Sequence, residues 1–133
     1  GTEKYKNKDN LIILGDYQKI NEVYAASDII ISSSAFGEGF SNALGEGMAT
    51  GLIPVSTDVG DARYIINNLG KIVPPKNINK LTKAIIDILN LSPSEIISYK
   101  KKVRIRVIEK FSLYIMLNKY NSMYKSLLNR ENS

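Results

Sequence analysis

Residues 37–60 read GEGFSNALGEGMATGLIPVSTDVG, and this run decides the fold. A glycine-rich loop enters a helix expected from about Asn42 to Thr50, and Gly51 ends that helix. Ile53-Pro54-Val55-Ser56 then follows as an apolar strand. Upstream, Asp28-Ile29-Ile30-Ile31 reads as a β-branched, buried strand. The quoted run is therefore the crossover and second strand of a β-α-β unit.

The same rhythm extends outward. Leu11–Leu14 is a compact apolar run closed by Gly15-Asp16, expected as a strand and turn. Ile20, Val23, Tyr24 and Ser27 share one helical face, which predicts a short amphipathic helix over Gln18–Ala26. Lys71-Ile72-Val73 is a further short strand, stopped by Pro74-Pro75, and Ile78, Leu81, Ile85 and Leu89 recur at helix spacing. Fully apolar strands alternating with helices imply the α/β class, with a parallel sheet covered by helices on both faces. From Ser92 the pattern is helical, with Ser92 as N-cap and Pro93 at the first helical position. Val103–Val107 alternates as a strand would. Leu113, Leu117, Tyr120, Tyr124 and Leu127, flanked by Met116, Met123 and Leu128, form a wide apolar stripe expected to lie on another surface. Residues 1–133 read as one unit, with 92–133 as its helical tail.

Composition narrows the function classes. The chain has 133 residues, 44% hydrophobic and 23% charged, enough for one domain with a real core. No apolar run approaches the roughly 20 residues that span a bilayer, and GTEKYKNKDN has no signal-peptide core. Cysteine and histidine are both absent, so the chain supplies no thiolate, disulfide, imidazole base or His-ligated zinc. A reducing cytoplasm is the expected location. Charge is uneven: residues 1–98 hold nine Lys or Arg against eleven Asp or Glu, a net of −2. Residues 99–133 hold nine against two, a net of +7. Such a block reads first as a solvated helix face and second as a contact for an anionic membrane surface. No nucleic-acid-reading motif accompanies it.

The chemistry is concentrated in residues 37–60. Parallel sheets place ligand sites at the carboxyl ends of their strands, and the loop 32–40 leaves such an end. Gly37 and Gly39 let backbone approach a ligand. Ser41 and Asn42 are both good caps for the helix that follows, and the amides of Asn42, Ala43 and Leu44 are then unpaired donors at its positive end. That is a place for a diphosphate without a metal. Glu38 lies on the loop before this site, within reach of sugar hydroxyls. Glu46 lies one turn into the helix, where its side chain leans back toward the same mouth and suits a ribose diol. The loop Thr57-Asp58-Val59-Gly60 is placed to close the pocket from the side. Either glutamate alone would read as an exposed residue or a helix-dipole partner; their ordered combination after a buried strand points to a site.

The run SSSAFGEGFSNALGEGMATGLIPVSTDVG, with ASDIII before it and GKIVPP after it, resembles the donor-binding domain of GT-B-fold retaining glycosyltransferases. Within these it is similar to the large family that builds bacterial polysaccharides and includes sucrose and trehalose-phosphate synthases. The resemblance covers about Leu11 to Leu91. It implies that Glu38 contacts the transferred sugar and is the catalytic-site glutamate. Gly39 and Phe40 would lie beside that sugar, Ser41, Asn42, Ala43 and Leu44 at the donor diphosphate, and Glu46 on the ribose, with Gly60 completing the donor contacts. It also implies a nucleotide-sugar substrate, UDP- or GDP-linked, a glycan or lipid-linked acceptor, no metal and no other cofactor. The leaving diphosphate would take the acceptor's proton, so no strong general base is needed.

The chain departs from the family pattern at Gly47, where Ala is usual, and at Tyr64, where many members carry a glutamate. The family's diphosphate-clamping Arg and Lys have no counterpart before Leu11, and its N-terminal acceptor domain has none at all. By resemblance Leu11 begins the third strand of the donor domain. The expectation is therefore a fragment, with the Leu11 strand either moved beside Ile29 or exchanged with another copy. Two other readings stay open: a nucleotide-binding module that never catalyses, and an interaction module that meets the inner face of a membrane through residues 99–133.

Overall fold

Three short parallel strands in the order β1-β2-β3 form the centre of the computed structural model, which describes residues 10–37 and 39–131. They are β1 (Ile29–Ser32), β2 (Ile53–Thr57) and β3 (Lys71–Val73). Ile29 pairs with Ile53 and Ile31 with Val55; Val55 in turn pairs with Lys71 and Thr57 with Val73. The helices are α1 (Ile20–Ala25), α2 (Asn42–Ala49), α3 (Ala62–Ile66), α4 (Ile78–Leu89), α5 (Pro93–Phe111) and α6 (Leu113–Glu131).

Two cores follow from the alternation of strand side chains. Ile53, Val55 and Val73 point to one face, where Ala84 and Ile88 of α4 cover them. Ile30 and Ile72 point to the other, against Leu44 and Met48 of α2, Ile65 and Ile66 of α3 and Val103 of α5. Each fully buried side chain of this size contributes about 1.5–3 kcal/mol. Helices therefore cover both faces of a Rossmann-like sheet, as the apolar strands imply. Lys71–Val73 and the Asn42 helix start fall where the sequence places them.

Close approach explains two glycines. A Cβ on Gly47 would overlap Ile30 Cδ1 and sit 3.2 Å from its Cβ and Cγ2, because α2 lies directly on β1. A Cβ on Gly70 would collide with the carbonyl oxygen of Pro54. Gly47 is thus dictated by packing, which outweighs its poor helix propensity of about 1 kcal/mol.

Of four features that the sequence reading did not contain, the first and the fourth correct an expectation. Leu11–Leu14 forms no strand: the run is exposed, Ile12 by 82%, and β1 has no neighbour but β2 among the described residues. The Leu11 run is therefore not seated beside Ile29. The outer edge of β1 stays unpaired among the described residues, and strand-like composition alone does not seat a four-residue run on it. Second, α4 turns Leu81, Ala84, Ile85 and Ile88 inward and leaves Ile78 and Leu89 exposed, at its two ends. Third, α3 was not foreseen. Its five residues have no side-chain N-cap, and Arg106 of α5 donates to the carbonyls of Ile65 (2.7 Å) and Tyr64 at its end. Fourth, the apolar stripe of α6 is exposed, with Leu113 at 65% and Leu117 at 50%. Val103–Val107 lies inside α5, whose start carries the full capping box of Ser92 and Glu95.

Candidate functional site

The loops that follow β1, β2 and β3 gather at the carboxyl edge of the sheet. Side chains tie them there. The Thr57 hydroxyl donates to the carbonyl of Ser34 at 2.7 Å, fastening the first loop to the end of β2. The Asp58 amide donates to Val73 at 2.8 Å, and the Arg63 guanidinium bonds the Asp58 carboxylate at 2.6 Å. Lys76, on the third loop, sits over the Phe36 ring at 4.7 Å from its centre.

The first loop ends at α2. Ser41 is the N-cap in extended geometry, and its carbonyl accepts from the Gly45 amide at 3.1 Å. Its hydroxyl makes no cap bond. The amides of Asn42, Ala43 and Leu44 have no partner among the described residues, and the positive end of the dipole faces the loop. Leu44 itself is buried and offers only its backbone. Built Cβ atoms on Gly37 and Gly39 would meet open space, so neither glycine is required by the protein's own packing. Room for a ligand lies beside the backbone there. Glu38 falls outside the described residues.

Phe40 has a structural task. Its ring meets Phe111 edge-on at 5.3 Å, and Tyr64 meets the same ring at 5.5 Å. This aromatic cluster pins the start of α2 to the end of α5. Tyr64 takes part in that packing. Beside it opens a cavity of 420 Å³, reached by Asn42, Met116, Lys110 and Lys119. Gly60 lies exposed on the loop after β2, the strand next to β1.

Glu46 is exposed one turn into α2, and the Tyr24 hydroxyl of α1 donates to its Oε2 at 3.4 Å. Burial raises the Tyr24 pKa, and the neighbouring Glu46 charge and hydrogen bond raise it further. The hydroxyl therefore remains a protonated donor at neutral pH. Sequence reasoning put Tyr24 on an apolar helix face and missed this partner. The available signal was a tyrosine on that face, whose polar tip needs somewhere to go.

The arrangement thus joins Gly39, Phe40, Ser41, Asn42, Ala43, Leu44 and Glu46 along one loop and helix start, with Gly60 on the adjacent loop. It places amides without a partner among the described residues beside an exposed carboxylate. Residues 2–91 match the family of group 1 glycosyl transferases. The crystal structure of a glycosyltransferase from Rickettsia africae ESF-5 superposes with a TM-score of 0.83 at 32% identity, over 96% of this chain and 34% of that one. Sucrose-phosphate synthase from Thermosynechococcus elongatus superposes with a TM-score of 0.82 at 24% identity, over 97% and 33%. The second likeness shows the fold alone. No curated protein matches closely enough to carry an argument. The chain spans about a third of the length of either structure. By family match and by fold, this chain belongs to the group 1 glycosyltransferases and carries part of their GT-B architecture.

Proposed function

We propose that this chain holds the nucleotide-sugar donor of a retaining glycosyltransferase. The full-length protein would move a hexose from a UDP- or GDP-linked sugar to a glycan or lipid-linked acceptor, in surface-polysaccharide synthesis at the cytoplasmic side. The observation that carries this reading is the start of α2: three amides without a partner among the described residues, at the carboxyl edge of the sheet, with Glu46 one turn away. The donor diphosphate would sit on those amides, the ribose on Glu46 and the transferred sugar by Glu38. As the bond from C1 to the diphosphate breaks, the acceptor oxygen bonds C1 on the same face and its proton passes to the leaving diphosphate. The helix dipole stabilises the charge that builds there. No metal takes part in this reading.

Turnover by the full-length protein with UDP- and GDP-sugars tests it. Activity should survive EDTA and fall by orders of magnitude in Glu38→Ala with folding intact; absence of transfer from every nucleotide-sugar would overturn it. The 133-residue chain by itself should bind donor weakly and turn nothing over, because the resemblance puts the clamping cations and the acceptor domain outside it.

A second reading concerns the tail. Leu117, Tyr120 and Leu127 are exposed along α6 among Lys119 and Lys125, the mixture that settles at an anionic bilayer surface. Among the described residues no helix is long and apolar enough to cross a membrane. Sedimentation with anionic vesicles, reduced in Lys119→Glu/Lys125→Glu, would support surface contact; equal recovery with zwitterionic vesicles would oppose it.

A further inference from the structure

We propose that Tyr24 is a positioning residue for donor binding, its hydroxyl holding the Glu46 carboxylate in the orientation that receives the ribose diol. This rests on the reading of Glu46 given above. The two residues belong to different helices, 22 positions apart, and the Tyr24 hydroxyl donates to the Glu46 carboxylate at 3.4 Å. Glu46 is exposed and has no ion pair among the described residues. A glutamate in that setting samples several rotamers, and ordering it on binding subtracts from affinity.

Tyr24 removes part of that loss. It is half-buried, and its hydroxyl donates one hydrogen bond, to Oε2. A carboxylate offers about four acceptor positions, so Oε1 and the second lone pair of Oε2 stay available for two ribose hydroxyls. The donor is neutral, so it orients the carboxylate without cancelling the charge that strengthens bonds from those hydroxyls. The alternative is that the bond merely ties α1 to α2. That role would not depend on whether a ligand carries ribose hydroxyls.

The test compares dissociation constants of UDP and GDP, each with its 2′,3′-dideoxy counterpart, in the full-length protein and in Tyr24→Phe and Glu46→Ala. Tyr24→Phe keeps the ring, and its melting curve reports folding. The expected result is an affinity for the ribonucleotide lowered about three- to tenfold in Tyr24→Phe, with the dideoxynucleotide unchanged. Glu46→Ala should abolish the preference for ribose. If Glu46→Ala loses that preference while Tyr24→Phe binds the ribonucleotide as wild type does, or weakens both ligands equally, the role of Tyr24 is overturned and Glu46 stands. If wild type and Glu46→Ala treat the two sugars alike, the reading of Glu46 fails and this inference with it.

Discussion

At position 47 two residue-scale effects oppose each other. Alanine would improve helix propensity by about 1 kcal/mol. It would also force its methyl into Ile30, and overpacking of this kind costs about 1–3 kcal/mol. The collision wins, so Gly47→Ala should lower stability by about 1 kcal/mol in a urea melt. Adding Ile30→Val removes the overlapped Cδ1 and should recover part of the loss; additive losses would contradict the packing account. From sequence, Gly47 looked like a departure with a helix cost. Its reason lies in a strand 17 positions earlier, which local propensity cannot report. Tyr24 makes the same point for the site. Its raised pKa arises first from burial and then from Glu46, so Glu46→Gln should move its titration down toward the ordinary 10.0, read by ultraviolet absorbance. A pKa raised in the fold contributes stability that is complete below the unfolded value and lost as pH climbs through the folded one. Stability should therefore fall above about pH 10 more in wild type than in Tyr24→Phe.

Elements were legible where their signal is local. Ser92, Pro93 and Glu95 announce α5, and the structure builds the reciprocal bonds: the Glu95 amide to the Ser92 hydroxyl at 3.3 Å and the Ser92 amide to the Glu95 carboxylate at 2.8 Å. Ser92→Ala should cost about 1 kcal/mol. It should also raise the Glu95 pKa, which the Ser92 side-chain and backbone bonds hold below its usual value. That contribution is present above the ordinary carboxylate range and fades as pH falls, so the wild-type advantage over Ser92→Ala should shrink in acid. An advantage independent of pH would contradict the cap. Elements whose existence depends on a distant partner were misread. Leu11–Leu14 has strand composition, yet it pairs with no described strand although the outer edge of β1 is open. The α3 helix has only five residues and leans on Arg106, 41 positions from Ile65. In α4 the terminal Ile78 and Leu89 fit the period yet overhang the sheet, so the buried face starts at Leu81. The stripe of α6 was expected to lie on another surface, and within this chain it stays exposed.

Over the whole molecule, the charge of residues 99–133 divides into structural and exposed parts. Lys100 bonds Asp28 at 2.6 Å, joining α5 to the start of β1, and Arg106 closes α3. Lys101, Lys102, Lys119 and Lys125 have no ion pair among the described residues and remain for solvent or an anionic surface. The site follows a different logic. It is formed by topology, since a parallel sheet brings its loops to one edge and α2 opens there, with the loop fastened by Thr57. The loop and helix start of the glycine-rich run were therefore legible from the sequence, whereas the anchoring roles of Phe40 and Tyr64 were not. The most direct test of the account follows backbone amide resonances of the 133-residue chain during titration with millimolar UDP and GDP. The account predicts that one of them shifts Asn42, Ala43, Leu44 and Glu46 first and most, and that the dideoxy analogue moves Glu46 less. Shifts confined to the lysines of α5 and α6, or none at the start of α2, would contradict it.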